Sequence, residues 1–249
     1  MDQLLYHYTS FDAFCSIIKN VKLRLVNIRY LNDKSEYIYA LNLLKNKTIE
    51  FEKNNNISKG IDLSMFDRFF FSNDLYSVSF CEKGNDLNLW RGYCPPNGGI
   101  SIGFDKDKIF PPHNIILNKC VYGNPYPPME KERYEWFKFL FENVMLIHQN
   151  KEFIQMTYQT AYIKHEGFIG EQEWRGISHA PQTKQIYYFT RGKIKVPFFD
   201  VEFCKDSIQN IYIGPSESQE MLFQKVENEL HTNDINCSIV KSEIPFRQF

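Results

Sequence analysis

The chain has 249 residues, of which 43% are hydrophobic, 16% are aromatic and 24% are charged. A chain of this length and apolar content can bury a large core, which excludes intrinsic disorder and favours one compact domain. The formal net charge is -1, with 29 basic and 30 acidic residues, so the overall charge does not support binding to nucleic acid or to an anionic membrane.

The six cysteines are scattered and form no Cys-x-x-Cys pair, so the sequence predicts neither a zinc site nor a redox motif. The N-terminus lacks the basic and apolar regions of a signal peptide. No apolar run approaches the roughly 20 residues that span a bilayer. We therefore expect a soluble cytoplasmic protein with reduced thiols, no metal and no membrane partner.

Residues 5–10 predict a short buried strand with a polar tip, because a helical pattern follows at once from Phe11. This geometry places His7, Tyr8 and Thr9 at the rim of a sheet, where a ligand can be met. In the alternative interpretation, Thr9 or Ser10 only caps the helix.

The pattern up to residue 122 predicts short strands and helices in alternation. In chain order they are a strand at 22–28, a helix capped by Asn32 or Asp33, a polar loop at 52–60, a helix near 61–71, a strand at 75–80, a helical turn at 86–93, and strands at 100–104 and 115–122. Within the strand at 75–80, Tyr76, Val78 and Phe80 share one face, and Ser77 and Ser79 share the other.

A cluster of prolines at 125–128 marks an internal boundary, and a helical pattern interrupted near Asn150 follows over 129–166. Strands are then predicted at 171–177, in a hairpin of 185–190 with 193–199, at 208–214 and at 235–246, with a helix capped by Ser216 and Gln219 before the last strand. The fold class is α+β, with mixed, mainly antiparallel sheets in a single domain over 1–249 and a helical insertion at 129–166.

Glu171 and Glu173 would project from the same face of a strand, about 7 Å apart. Two carboxylates this close raise each other's pKa, and such a pair suits a transition state resembling an oxocarbenium ion. In the alternative interpretation they lie on a solvated edge strand, with Arg175 paired to one of them.

Ser77 and Ser79 could orient a ribose or an amide, or simply bond across the sheet. The sequence lacks a Gly-x-Ser-x-Gly motif, phosphate-binding glycine loops and a His-Glu-x-x-His motif. Their absence directs an enzyme hypothesis toward sugar or nucleotide chemistry without a metal.

A series of short motifs, in order along nearly the whole chain, resembles the bacterial family DUF2971, whose name records no activity. The motifs are Leu5-Tyr6-His7-Tyr8-Thr9, Leu31-Asn32-Asp33-x-x-Glu36, Ser79-Phe80, Leu89-Trp90-x-x-Tyr93, Gly99-Ile100-x-Ile102-Gly103-Phe104, Glu171-x-Glu173-Trp174-Arg175, Ile213-Gly214-Pro215 and Ser242-x-Ile244-Pro245-Phe246-Arg247.

The order of a His in the first strand, a Ser-x-Ser in a later strand and a late Glu-x-Glu is also similar to the ADP-ribosyltransferase superfamily. This resemblance implies a core of that fold, NAD as the substrate, Glu173 as the catalytic residue and Glu171 orienting the acceptor. It further implies that NAD is held by His7, Tyr8 and Thr9, with Tyr76, Ser77 and Ser79 lining the nicotinamide pocket.

Several features of the chain depart from the superfamily pattern. Tyr8 stands where a Gly is usual, so its ring must point away from the ligand. Glu171 takes the catalytic position if the strand register shifts by two residues, and Arg24 competes with His7 for the ribose.

The resemblance implies a toxin or phage-defence effector that modifies an unknown acceptor, with room for a regulatory partner protein. The alternative is a non-catalytic module that binds a ligand or a partner on the same fold. A weaker third alternative is an enzyme acting on nucleic acid through basic residues such as Arg191, Lys193 and Lys195.

Overall fold

The computed structural model describes residues 3–31, 35–72, 74–96, 98–110, 115–180 and 185–245. In these ranges the α-helices are α1 (Phe11–Asn20), α2 (Ser35–Asn54), α3 (Ser64–Ser72), α4 (Leu87–Tyr93), α5 (Lys131–Glu142), α6 (Lys151–Thr160) and α7 (Gln219–Thr232). The strands are β1 (Leu4–Thr9), β2 (Lys22–Asn27), β3 (Leu75–Cys81), β4 (Ile100–Asp105), β5 (Ile116–Lys119), β6 (Val121–Tyr122), β7 (Ile163–Lys164), β8 (Glu173–His179), β9 (Tyr187–Arg191), β10 (Ile194–Glu202), β11 (Ile208–Ile213) and β12 (Ser238–Lys241).

Ten of these strands form one open sheet. Eight follow the order β12-β11-β4-β1-β3-β2-β10-β9, while β8 pairs with β3 and β5 pairs with β8. The pairs are antiparallel except for β11 with β12, and β6 and β7 form a separate parallel pair. The α+β class with mainly antiparallel strands is therefore confirmed.

Strand β3 is the branch point of the sheet. Along one edge it pairs with β8 from Leu75 to Cys81. Along the other edge it pairs with β2 at Tyr76 and Ser77, and with β1 at Cys81. Because β1 and β2 diverge between these two contacts, the sheet opens beside Ser79.

Each face of the sheet is covered by helices. Helix α1 begins at its cap Ser10, whose Oγ accepts a hydrogen bond from the Ala13 amide, and it buries Phe14, Ile17 and Ile18 against the sheet together with α7. Helices α2, α3, α5 and α6 form a second core that includes Leu75 and Ile177. The helical block predicted at 129–166 therefore shares a core with α2 and α3.

Two predicted boundaries, those of the strand at 115–122 and of the helical block at 129–166, are wrong. The strand predicted at 115–122 is broken at Cys120, whose amide donates to the Glu173 carbonyl, and β6 then leaves to pair with β7. The helical pattern predicted to continue to 166 stops at Thr160, because β7 at Ile163–Lys164 pairs with β6.

Three other differences lie away from that region. Helix α2 runs to Asn54, into the predicted polar loop. Helix α7 begins at Gln219, whose side-chain amide donates to backbone carbonyls of Ile213, Gly214 and Ser242 instead of completing a capping box. The closing strand is limited to Ser238–Lys241. The predicted caps Asn32 and Asp33 lie outside the described residues.

Candidate functional site

A cleft of ≈ 250 Å³ lies where the sheet opens beside β3. Its walls come from β1, β2 and β3, from β8, from the end of α4 at Tyr93 and from the end of β9 at Arg191. Of the predicted site residues, His7, Tyr8, Ser77, Ser79 and Glu173 line it. These side chains come from three strands that are far apart in the sequence.

His7 bridges the gap between β1 and β3. Its Nδ1 lies 3.0 Å from the Ser79 carbonyl, and because a carbonyl only accepts, Nδ1 carries the hydrogen. Burial lowers the pKa of His7, and the hydrogen bond to Ser79 offsets this only in part. The ring is therefore neutral near pH 7, with Nε2 as an acceptor.

Tyr8 anchors α4 to the sheet. Its ring packs edge-on against Trp90 at 4.7 Å between centroids. Its hydroxyl donates to the Lys83 carbonyl at 2.8 Å and accepts from the Asp86 amide at 3.2 Å. Burial raises the pKa of this hydroxyl, so Tyr8 is a neutral structural contact at the cleft wall.

The predicted faces of β3 are confirmed. Ser77 and Ser79 face the cleft, while Tyr76 packs on the opposite face against Phe199, at 5.0 Å between ring centroids. The Oγ of Ser77 is buried without a hydrogen-bond partner in the described part of the chain. An unpaired buried hydroxyl is costly, so a hydrogen bond from a ligand in the cleft would remove this cost.

Thr9 lies beyond the cleft. It is 8% exposed, and its carbonyl accepts a hydrogen bond from the Cys94 thiol at 3.4 Å. Of the residues predicted to hold NAD, Thr9 and Tyr76 are thus placed outside the cleft walls. Ser10, and not Thr9, caps α1, as one of the two alternatives predicted.

Four charged residues, all but Glu171 buried, form a cluster at one wall, which we call the Glu173 cluster: Lys164, Glu171, Glu173 and Arg175. Arg175 binds both carboxylate oxygens of Glu173, from Nε at 2.9 Å and from Nη2 at 3.0 Å. Lys164 Nζ donates to Oε2 of Glu173 at 2.7 Å and to Oε2 of Glu171 at 2.6 Å. The cluster therefore contains two cations and two anions.

The cations keep Glu173 ionised. Burial alone would raise the pKa of its carboxyl, but the charges and hydrogen bonds of Arg175 and Lys164 outweigh burial and lower the pKa to about 2. Glu173 is 3% exposed and Arg175 is 4% exposed. The solvated edge strand considered for these residues is therefore wrong, although Arg175 does pair with one of the two glutamates.

Glu171 does not lie on a strand with Glu173, so the predicted strand spacing is wrong. It ends a 3₁₀ helix at Glu166–Glu171, and Gln172 has a positive φ of 45° that separates it from β8. The two carboxylates nevertheless meet at Lys164. The Tyr93 hydroxyl also donates to Glu171, at 2.6 Å, at the rim of the cleft.

Lys164 and Tyr93 are the site residues that the sequence did not reveal. Lys164 follows the apolar run Ala161-Tyr162-Ile163. Such a run can be a short strand as well as the end of a helix, and this alternative could have indicated the position of Lys164. Tyr93 stands at the end of α4, one turn after Trp90, and nothing local distinguishes it from a packing aromatic.

In the described part of the chain, no group of three or more His, Cys, Asp or Glu side chains is placed to hold a metal ion. The six cysteines all lie in the described part of the chain, and no disulfide joins them. None of the described helices combines the length and the apolar character needed to cross a membrane.

Residues 89–176 match the model of the family DUF2971, described as a protein of unknown function. No curated protein and no solved structure matches the chain. The matched segment contains Tyr93 and all four residues of the Glu173 cluster, whereas His7, Ser77 and Ser79 precede it. The resemblance of this chain to DUF2971, a family of unknown function, is thus confirmed over residues 89–176.

Proposed function

We propose that the cleft binds NAD as a substrate and transfers its ADP-ribose to an acceptor. The observation that carries this proposal is the convergence of His7, Ser77, Ser79 and Glu173 on one cleft. A neutral imidazole, an unpaired hydroxyl and an ionised carboxylate are groups that can bind the hydroxyls of a ribose and the amide of nicotinamide.

In this reaction the bond between the ribose carbon and the nicotinamide nitrogen breaks, and nicotinamide leaves with the bonding electrons. Positive charge develops on the ribose, where Glu173 would stabilise it. A nucleophile of the acceptor then bonds to the same carbon and releases its proton to solvent. Glu171, at the rim beside Tyr93, would orient that acceptor.

The size of the cleft limits what it encloses. Its ≈ 250 Å³ is below the roughly 300–1,000 Å³ of pockets that enclose a drug-sized ligand. We therefore place one nucleoside-sized part of NAD inside the cleft and the remainder along its open side. A toxin or phage-defence role would follow from the transfer activity and from the identity of the acceptor.

The second candidate function is a non-catalytic module that binds a ligand in the same cleft. The ion pairs of Glu173 favour it, because Arg175 and Lys164 already neutralise the charge that would stabilise an oxocarbenium ion. In this function Glu173 holds the wall of the cleft in place, and no bond of the ligand breaks.

The deciding experiment measures nicotinamide release from NAD by the purified protein, with cell lysate as the source of acceptor. Glu173→Gln should lower the rate by on the order of 10²–10³-fold and should retain NAD binding in calorimetry. Release at the wild-type rate by Glu173→Gln would overturn the catalytic role. Saturable NAD binding by the wild type without release would establish the binding module.

Because Glu173→Gln also removes a buried charge, a milder pair of variants supports the test. Ser77→Ala removes an unpaired buried hydroxyl from the cleft, and Ser101→Ala removes one from β4, outside the cleft. Neither change should destabilise the fold, because neither hydroxyl has a hydrogen-bond partner among the described residues. Only Ser77→Ala should weaken NAD binding, and equal effects of the two would argue against the cleft as the site.

A further inference from the structure

Two arginines line the wall of the cleft that is formed by β2 and β9. Arg24 lies on β2, two residues before Val26, which pairs with Ser77. Arg191 is the last residue of β9, beside the turn to β10. By the alternation of side chains along strands, Arg24 and Val26 share a face with Ser77.

Aromatic rings hold the two guanidinium groups at this wall. The guanidinium carbon of Arg24 lies 3.7 Å from the centroid of Phe198 and 5.7 Å from that of Phe189. The guanidinium carbon of Arg191 lies 5.5 Å from the same Phe189 centroid. Stacking on aromatic faces is typical of arginines that present their N–H groups in a fixed direction.

Both arginines keep donors for a further partner. Arg191 Nη1 donates to the Tyr30 carbonyl at 2.9 Å, and no carboxylate of the described residues lies within ion-pair distance of its guanidinium. Arg24 has Asp200 as its ion-pair partner, at 3.6 Å from Nε, with the Arg24 side chain 49% exposed. A guanidinium carries five N–H donors, and contacts with the described residues occupy a minority of them in each arginine.

A third group points to the same ligand. Ser77 lines the cleft on the face that it shares with Arg24, is 2% exposed, and has a buried Oγ with no hydrogen-bond partner among the described residues. The Glu173 cluster is balanced in charge and Asp200 offsets Arg24, so among the described residues Arg191 is the source of an excess positive charge at the cleft. Planar, multidentate donors of this kind favour an oxyanion, and phosphate in particular.

We propose that Arg24 and Arg191 form a phosphate-binding subsite of the cleft, with Ser77 as a further donor. This inference rests on the proposed function only in taking the cleft as a ligand site. It deepens that function by identifying the ligand as a molecule that carries a phosphate or diphosphate group, whose uncharged part extends toward Glu173.

The test titrates inorganic pyrophosphate into the full chain at low ionic strength and measures binding by calorimetry. The wild type should bind saturably, and Arg191→Ala and Arg24→Ala should each bind at least about tenfold more weakly, the loss of one charge-assisted contact. Lys193→Ala is the matched control, since it removes an exposed cation two residues from Arg191 and outside the cleft. Both arginines are exposed, so neither substitution should unfold the protein. Thermal unfolding of the variants checks this.

The outcomes separate this proposal from NAD chemistry. Pyrophosphate binding that depends on Arg191 supports the subsite even if nicotinamide is never released. Nicotinamide release with an unchanged KM in both arginine variants would overturn the subsite and leave the transferase proposal standing. An absence of saturable binding, or equal binding by all four proteins, would also overturn it. Binding of a single-stranded oligonucleotide that pyrophosphate fails to displace would overturn it in favour of a nucleic-acid surface.

Discussion

Replacing Lys164 with Met tests whether the Glu173 cluster stabilises the fold. Lys164 is 2% exposed, and its Nζ contacts Glu171 at 2.6 Å and Glu173 at 2.7 Å. Methionine keeps much of the side-chain length but removes the charge. Among the described residues, the variant would leave Glu171 and Glu173 with Arg175 as their remaining cation, and so with one uncompensated negative charge.

Breaking a buried ion pair by removing one partner costs about 3–5 kcal/mol, because the remaining charge is desolvated and unpaired. Lys241→Met is a matched control: Lys241 also lies 2.6 Å from a carboxylate, that of Glu220, but the two side chains are 41% and 69% exposed. An exposed pair contributes about 0–1 kcal/mol. Lys164→Met should therefore lose several times more stability than Lys241→Met.

The assay is equilibrium urea unfolding of both variants and the wild type at pH 7 and at pH 4. The pKa of Glu173 is about 2, below its ordinary value of 4.5, so its stabilisation is fully present above about pH 4.5 and is lost as the pH falls toward 2. Without Lys164, the pKa of Glu173 in the folded protein rises. The variant therefore loses less stability than the wild type when the pH is lowered. The difference in free energy of unfolding between the wild type and Lys164→Met should therefore be about 1 kcal/mol smaller at pH 4 than at pH 7. A deficit no larger than that of Lys241→Met, or one independent of pH, would refute the reasoning.

Three further substitutions are read by the same urea unfolding at pH 7. Tyr93→Phe removes the donor to Glu171 and should cost about 1–2 kcal/mol, whereas no loss would show that Lys164 alone holds that carboxylate. Tyr8→Phe removes a hydroxyl with two backbone partners and should cost about 1–3 kcal/mol; a neutral result would contradict its role as an anchor of α4. Gly103→Ala places a Cβ 2.2 Å from Asn210 Oδ1 and should cost about 1–3 kcal/mol through overpacking; full stability would mean that Asn210 moves aside at no cost.

Much of the fold could be predicted from local pattern. Alternation of apolar and polar residues located β3 and assigned Ser77 to the face opposite Tyr76, as the structure shows. The hairpin of β9 and β10 was predicted from its Arg191-Gly192 turn, and Gly192 has a positive φ of 60°. Such features depend on residues that are close in the sequence, so they can be predicted from the sequence alone.

The Glu173 cluster could not be predicted, because it depends on contacts distant in the sequence and on one backbone angle. Lys164 reaches the cleft only because β7, two residues long, pairs with β6, and so short a strand has no periodicity to detect. Gln172 adopts φ 45°, which β-propensity at that position does not predict, and this angle turns Glu171 away from β8. Residue types could indicate two carboxylates and an arginine, but not the cation that joins them.

The two functions proposed for the cleft differ in what they require of Glu173. In the described part of the chain, its Oε1 accepts one hydrogen bond, from Arg175 Nε, whereas Oε2 accepts from both Arg175 and Lys164. Oε1 therefore keeps a lone pair that a ribose hydroxyl can use, and this contact serves binding and catalysis equally. Only catalysis needs the negative charge, which Lys164 and Arg175 now neutralise. If the protein is a transferase, Lys164→Met should lower the rate of transfer less than it lowers the stability of the fold. The reason is that the variant leaves Glu173 with more net charge facing the ribose. If the protein is a binding module, the ligand affinity and the stability of Lys164→Met should fall together.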